Sequence, residues 1–216
     1  MQRPTQSPIW DLPVRLFHWS LLPLVMTAWV SAEQGYMDLH AWCGYTALSL
    51  VGCRILWGLA GSQNARFTAF LRGPRAVIAY LRGGEWSGEG HNPVGGWSVL
   101  LMLGLLLSQG VSGLFNADDI SFSGPLAHLA GDFADGVHEW HEFNFNLLLA
   151  MVALHIIAVL IYLRRGKNLI RPMITGGVSS RSGTGTPAWL ALALLGACAA
   201  LLWWLLSLSP KPPPFL

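Results

Sequence analysis

The sequence predicts an all-α integral membrane protein, and three observations carry that expectation. Of its 216 residues 53% are hydrophobic and only 11% are charged. Five stretches come close to the roughly 20 predominantly apolar residues that a helix needs to cross a hydrocarbon core. Lysine and arginine, finally, gather in alternate loops, as the positive-inside bias requires of a multi-pass chain.

The first span covers about residues 15–32. It is not a secretory leader, because it lacks a small-residue cleavage site, carries Arg15 and His18, and is followed by further spans. A tight hairpin, "AEQGYMD", leads to the second span, about 39–60. Residues 61–94 form a long connection in which "PRAVIAYLRGG" has the apolar spacing and basic rim of a short interfacial helix, and reads equally as a solvated loop whose arginines serve topology. The third span is about 95–115, and the loop 116–137 after it is punctuated by Gly, Asp and Pro. The fourth span, about 139–163, is followed by a Gly/Ser-rich linker at 177–186. A last span, 187–208, has no ionisable residue, which suits an anchor or a helix packed on a partner; residues 209–216 form an external tail.

Arg3, Arg15, Arg66, Arg72, Arg75, Arg82, Arg164, Arg165, Lys167, Arg171 and Arg181 all fall on one side of these spans. Glu33, Asp38, Asp118, Asp119, Asp132, Asp135 and Glu139 fall on the other, where Lys211 in the tail is the one basic residue. The expected topology is therefore a cytoplasmic N-terminus and a C-terminal tail on the outside. Topology accounts for the basic residues, so the net charge of +2 implies no nucleic-acid partner, and lipid is the expected surroundings. Cys43, Cys53 and Cys198 lie inside spans, where thiols behave as small apolar groups, and their spacing matches neither a disulfide framework nor a zinc site.

The chemistry rests on histidines, because ionisable groups within spans are costly and tend to face a site. His18 and His155 share the cytoplasmic level; His40 and His141 share the outer one. His141 and His155 are about 21 Å apart along one helix and within about 40° of the same face, so one helix serves two stacked sites. Two histidines from different helices with no acidic or thiol group beside them suit a planar macrocycle held from both faces, and haem fits this better than zinc, which wants three or four clustered ligands. His138 is rotated about 100° from the face of His155, so geometry prefers His141. His91 and His128 lie in loops and read as surface or turn-stabilising residues. Arg15, one turn before His18, and Arg54, near the cytoplasmic end of the second span, are placed for haem propionates or for lipid phosphates. Gly44, Gly95, Gly96 and Gly104 suit close approach of a flat ring or plain helix packing.

In order along residues 9–176, "WDLPVRLFHW", "DLHAWCGY", "RILWGLAGSQNARF", "GHNPVGGW", "GPLAHLAG", "HEFNFNLLLAMVALH" and "NLIRPMITG" resemble the bacterial cytochrome b561 and nickel-iron hydrogenase b-type cytochrome family. The resemblance implies a four-helix transmembrane bundle binding two haems b. His18 and His155 would be axial ligands of the cytoplasmic-side haem, and His40 and His141 of the outer one; the 187–208 helix is an addition to this core. It also implies electron transfer between membrane quinone and an outer-face partner: a c-type cytochrome, or a dehydrogenase or hydrogenase subunit. Two imidazoles fill the axial positions of each iron, so outer-sphere transfer is the expected chemistry. The eight outer acidic residues, Glu142 included, suit a basic cytochrome or simply the topology. The quinone site has no distinct sequence mark; the edge near Arg54 and Arg66 is the candidate. Rival readings are a superoxide-oxidising quinone reductase, a haem-free transporter, and a structural anchor.

Overall fold

The computed structural model describes residues 8–86, 88, 90–117, 123–179 and 186–209. Arg3, Asp118, Asp119, Arg181 and Lys211, most of the 177–186 linker and the tail beyond Ser209 lie outside the described residues. Among the described residues the chain is helical, apart from one isolated bridge between Ala117 and Ser123. The helices are α1 (Leu12–Glu33), α2 (Met37–Ala60), α3 (Phe67–Phe70), α4 (Pro74–Leu81), α5 (Pro93–Phe115), α6 (Ala134–Arg164), α7 (Ile170–Thr175) and α8 (Ala188–Ser207).

Helices α2, α5, α6 and α8 are long and apolar enough to cross a membrane, α6 taken together with the 3-10 turn that leads into it from Gly131. Helix α1 has the length, 22 residues, but contains Arg15, His18 and Glu33 and is not among these four. The segment expected as an interfacial helix does fold as one short helix, α4.

Local chemistry explains where the helices begin. Asp11 caps α1, its Oδ1 accepting the Val14 N–H at 2.9 Å, with Pro13 in the first turn where a missing N–H costs nothing. Asn92 does the same for α5, accepting the Gly95 N–H at 2.7 Å ahead of Pro93. Between α1 and α2 the chain reverses at Gly35, whose φ of 74° lies in the left-handed region that a side chain disfavours.

Helix α2 is the hub: α1, α5 and α8 all pack on it, α5 in turn packs on α6, and α8 also touches α1. Helix α8 is thus built into the chain's own bundle. Ala191 joins Val14, Trp57 and Ala65 in a buried cluster flanked by Trp10, Met173, Leu190 and Leu194, and Cys53 Sγ lies 3.5 Å from the Ala191 carbonyl.

One end of the bundle is knotted by polar contacts. Asp11 Oδ2 accepts the Trp57 indole N–H at 2.8 Å and the Ser62 hydroxyl, tying the start of α1 to the end of α2 and the loop beyond it. The Trp10 N–H reaches the Gly176 carbonyl at 2.9 Å, while Arg15 and Trp19 donate to the Ile174 and Met173 carbonyls, so α7 is fastened to α1. Tyr80 of α4 shares a hydrogen bond with Tyr162 of α6, and Asn92 Nδ2 donates to Tyr162 at 2.7 Å.

Candidate cofactor sites

Helices α1, α2 and α6 bring the four span histidines together as two couples. The rings of His18 (α1) and His155 (α6) have centres 6.2 Å apart, their planes inclined at 58°. The rings of His40 (α2) and His141 (α6) are also 6.2 Å apart, inclined at 72°. Because α6 runs unbroken from Ala134 to Arg164, its two histidines are held about 21 Å apart on a single rigid rod.

That separation decides what each couple can hold. A metal–imidazole bond of about 2 Å, plus roughly 1.1 Å from nitrogen to ring centre, sets two axial imidazoles on one metal about 6 Å apart. Both couples meet that requirement. Among the described residues no three His, Cys, Asp or Glu side chains cluster as a metal site, so zinc has no ligand set here.

At the His40 end, hydrogen bonds turn the rings. The His40 Nδ1 lies 2.8 Å from the Ala28 carbonyl of α1, an acceptor to which Nδ1–H donates. His141 Nδ1 lies 2.9 Å from Ser112 Oγ on α5. His138 is separate from this couple: its Nδ1 meets Asn116 Oδ1 at 3.0 Å and its Nε2 lies 3.6 Å from Glu142. His128 is exposed in a 3-10 turn, Ala127–Leu129.

At the Asp11 end, buried nitrogens collect without acceptors. His18 Nδ1, Arg15 Nε and Arg54 Nη1 are all enclosed and lack a hydrogen-bond partner. Arg54 is only 5% exposed, lies 5.4 Å from the centre of the Phe67 ring and donates through Nη2 to the Ala65 carbonyl at 3.4 Å, within the field of the Asp11 carboxylate but with Nη1 unpartnered. A buried cation with an unused donor is costly unless an anion meets it, which suits the carboxylates of a porphyrin. Of the two arginines at the edge expected for quinone, Arg54 is buried, whereas Arg66 is exposed with its Nε donating to the Gly61 carbonyl at 2.9 Å.

His91 lies in a loop, as its sequence reading expected, but is half-buried there rather than at the open surface. It lies between Trp10 (ring centres 4.6 Å) and Phe70 (4.8 Å), with Nδ1 enclosed and unpartnered. Burial first, then the positive field of Arg54 and of His155 and His18, pushes it down to about 3, so it is neutral at physiological pH. The expected small-residue contacts also divide. A Cβ on Gly96 would come within 3.0 Å of the Phe70 carbonyl, which is helix packing, and one on Gly95 would meet the Asn92 cap, whereas Gly44 and Gly104 have nothing within 4 Å.

Ser112, Asn144 and Asp11 were not picked out by sequence. Asn144, fully buried, donates to the Leu105 carbonyl at 3.0 Å and to Gln109 Oε1, locking α6 to α5 beside His141.

No curated protein and no solved structure matched the chain. A family model did, prokaryotic cytochrome b561, over residues 9–176. With its apolar helices and paired histidines, the chain belongs to the prokaryotic cytochrome b561 family, multi-pass bacterial membrane cytochromes of the b type that work in electron transfer.

Proposed function

We propose that this chain is a di-haem cytochrome b that moves electrons between a redox partner on the outer face and membrane quinone. The observation that carries the reading is the pair of histidine couples, each with ring centres 6.2 Å apart and both anchored on α6. His18 and His155 would hold one haem, and His40 and His141 the other. Haem held by these couples would supply one-electron chemistry.

The protein's part is to hold, orient and shield. His40 and His141 keep Nε2 turned to the site by hydrogen bonding through Nδ1. Arg15 and Arg54 bring enclosed donors to the Asp11 end, where propionate carboxylates would offset their burial. The apolar spans that carry both couples would let charge move with little rearrangement.

Helix α1 would be a fifth span in this arrangement, packed along α2 and α8. Arg66, Arg72, Arg75, Arg82, Arg164, Arg165, Lys167 and Arg171 then put the Asp11 end in the cytoplasm and the His40 end in the periplasm. Glu33, Asp38, Asp132, Asp135, Glu139 and Glu142 give the outer end a negative field that would guide a basic partner such as a c-type cytochrome.

The test is a dithionite-reduced minus oxidised spectrum with haem quantification on the purified protein, and on His141→Ala and His155→Ala. About two b-type haems per chain, with each variant losing mainly one, is the expected result. No haem, or full occupancy in both variants, would refute the assignment.

A further inference from the structure

The two outer histidines differ in what holds them. His40 leans on a backbone carbonyl, Ala28, that any sequence would provide; His141 leans on the Gln109 backbone carbonyl and, in addition, on one side chain, the Ser112 hydroxyl. Ser112 is 8% exposed, and its own proton is committed 3.1 Å away to the Gln109 carbonyl one turn earlier. With that proton spent, the oxygen facing His141 has lone pairs to offer, so it accepts from Nδ1–H rather than donating to it. The next residue completes the seat: a Cβ on Gly113 would stand 3.2 Å from His141 Cε1, tighter than ordinary contact, so glycine lets the ring lie against α5. Gln109 is held in turn by Asn144.

We propose that Ser112 is a positioning residue that sets the electron donation of His141, and through it the potential of the outer haem. The inference rests on the ligand role of His141 given above. An acceptor on Nδ1–H places more negative charge on the imidazole, making Nε2 the stronger donor and favouring the oxidised iron. Losing the Ser112 acceptor, with the Gln109 carbonyl left as the other, weakens the donor and favours the reduced iron. The outer potential therefore rises in Ser112→Ala while the inner one, whose histidines lie on the far side of α6's 14-residue interval, stays put.

A redox titration of the purified holoprotein, resolved by its haem absorbance, tests this. His141→Ala first identifies the outer component as the one it removes. In Ser112→Ala that component is expected to shift to higher potential at undiminished haem content, with Ser112→Thr, which keeps the hydroxyl, returning it towards the parent value. An unshifted outer component, a downward shift, or an equal shift of both components would overturn the role of Ser112 while leaving the ligands intact. If His141→Ala removes no component, the ligand reading itself fails, and this one with it.

Discussion

Replacing Asp11 with alanine should unfasten the polar knot at its end of the bundle, and its cost follows from three contacts. Oδ1 is the α1 cap, worth about 1 kcal/mol. Oδ2 is the acceptor for the indole N–H of Trp57, a side chain only 1% exposed, and stranding that donor in the core costs about 1–3 kcal/mol. The Ser62 hydroxyl adds about 1 kcal/mol more. Asp11→Ala is thus expected to lose roughly 3–5 kcal/mol, which for a chain of this size lowers the melting temperature by roughly 6–20 °C. Asp11→Asn keeps one acceptor oxygen, enough for the cap or for Trp57 but not for the whole knot, and should fall between, at roughly 1–3 kcal/mol. Thermal denaturation in detergent, followed by the helical circular dichroism signal, measures both. An alanine variant melting within about 2 °C of the parent would refute the account. So would an asparagine variant no more stable than alanine, because the contacts at Oδ1 and Oδ2 would then not be separable contributions.

Because the folded protein holds His91 near 3 against 6.5 for the free side chain, the unfolded chain binds the extra proton first. The stability contributed by neutral His91 is therefore complete above about pH 6.5 and declines by at most about 1.4 kcal/mol per pH unit as pH falls towards 3. Melting curves between pH 7 and 4 should show this slope in the parent and a flatter one in His91→Phe; identical slopes would count against a buried neutral His91. At Gly58 an added Cβ would stand 2.3 Å from the Phe67 ring that covers Arg54, so Gly58→Ala should cost about 1–3 kcal/mol. Gly136→Ala, with nothing within 4 Å of its Cβ, should be neutral or slightly stabilising, and an equal loss in both would refute the packing argument.

What the sequence made legible is what a single helix decides. Apolar runs placed the long helices, and rotation along one helix separated His141 from His138, since both residues share α6 and only their angle matters. What stayed hidden depends on which neighbour a face meets. "GHNP" announces a turn, and a turn is ordinarily at the surface; His91 is enclosed because Trp10 and Phe70, far from it in the chain, close over it. Ser112 is one small hydroxyl in an apolar helix, a residue that usually satisfies itself on its own backbone, as this one also does through Gln109; its second use needs α6 at a particular rotation. Helix α8 is the limiting case. Its apolar residues surround it evenly, so periodicity gives it no inward face, and lipid and protein are equivalent solvents for such a surface. The choice is made by small-residue fit: Cys198 lies against Gly52, where a Cβ would be 3.3 Å from its sulfur, and Ala191 sits beside Cys53. In a membrane, where apolar contact alone does not discriminate between partners, such close approaches decide which helices join the bundle, and they are properties of pairs of helices that neither sequence segment carries by itself.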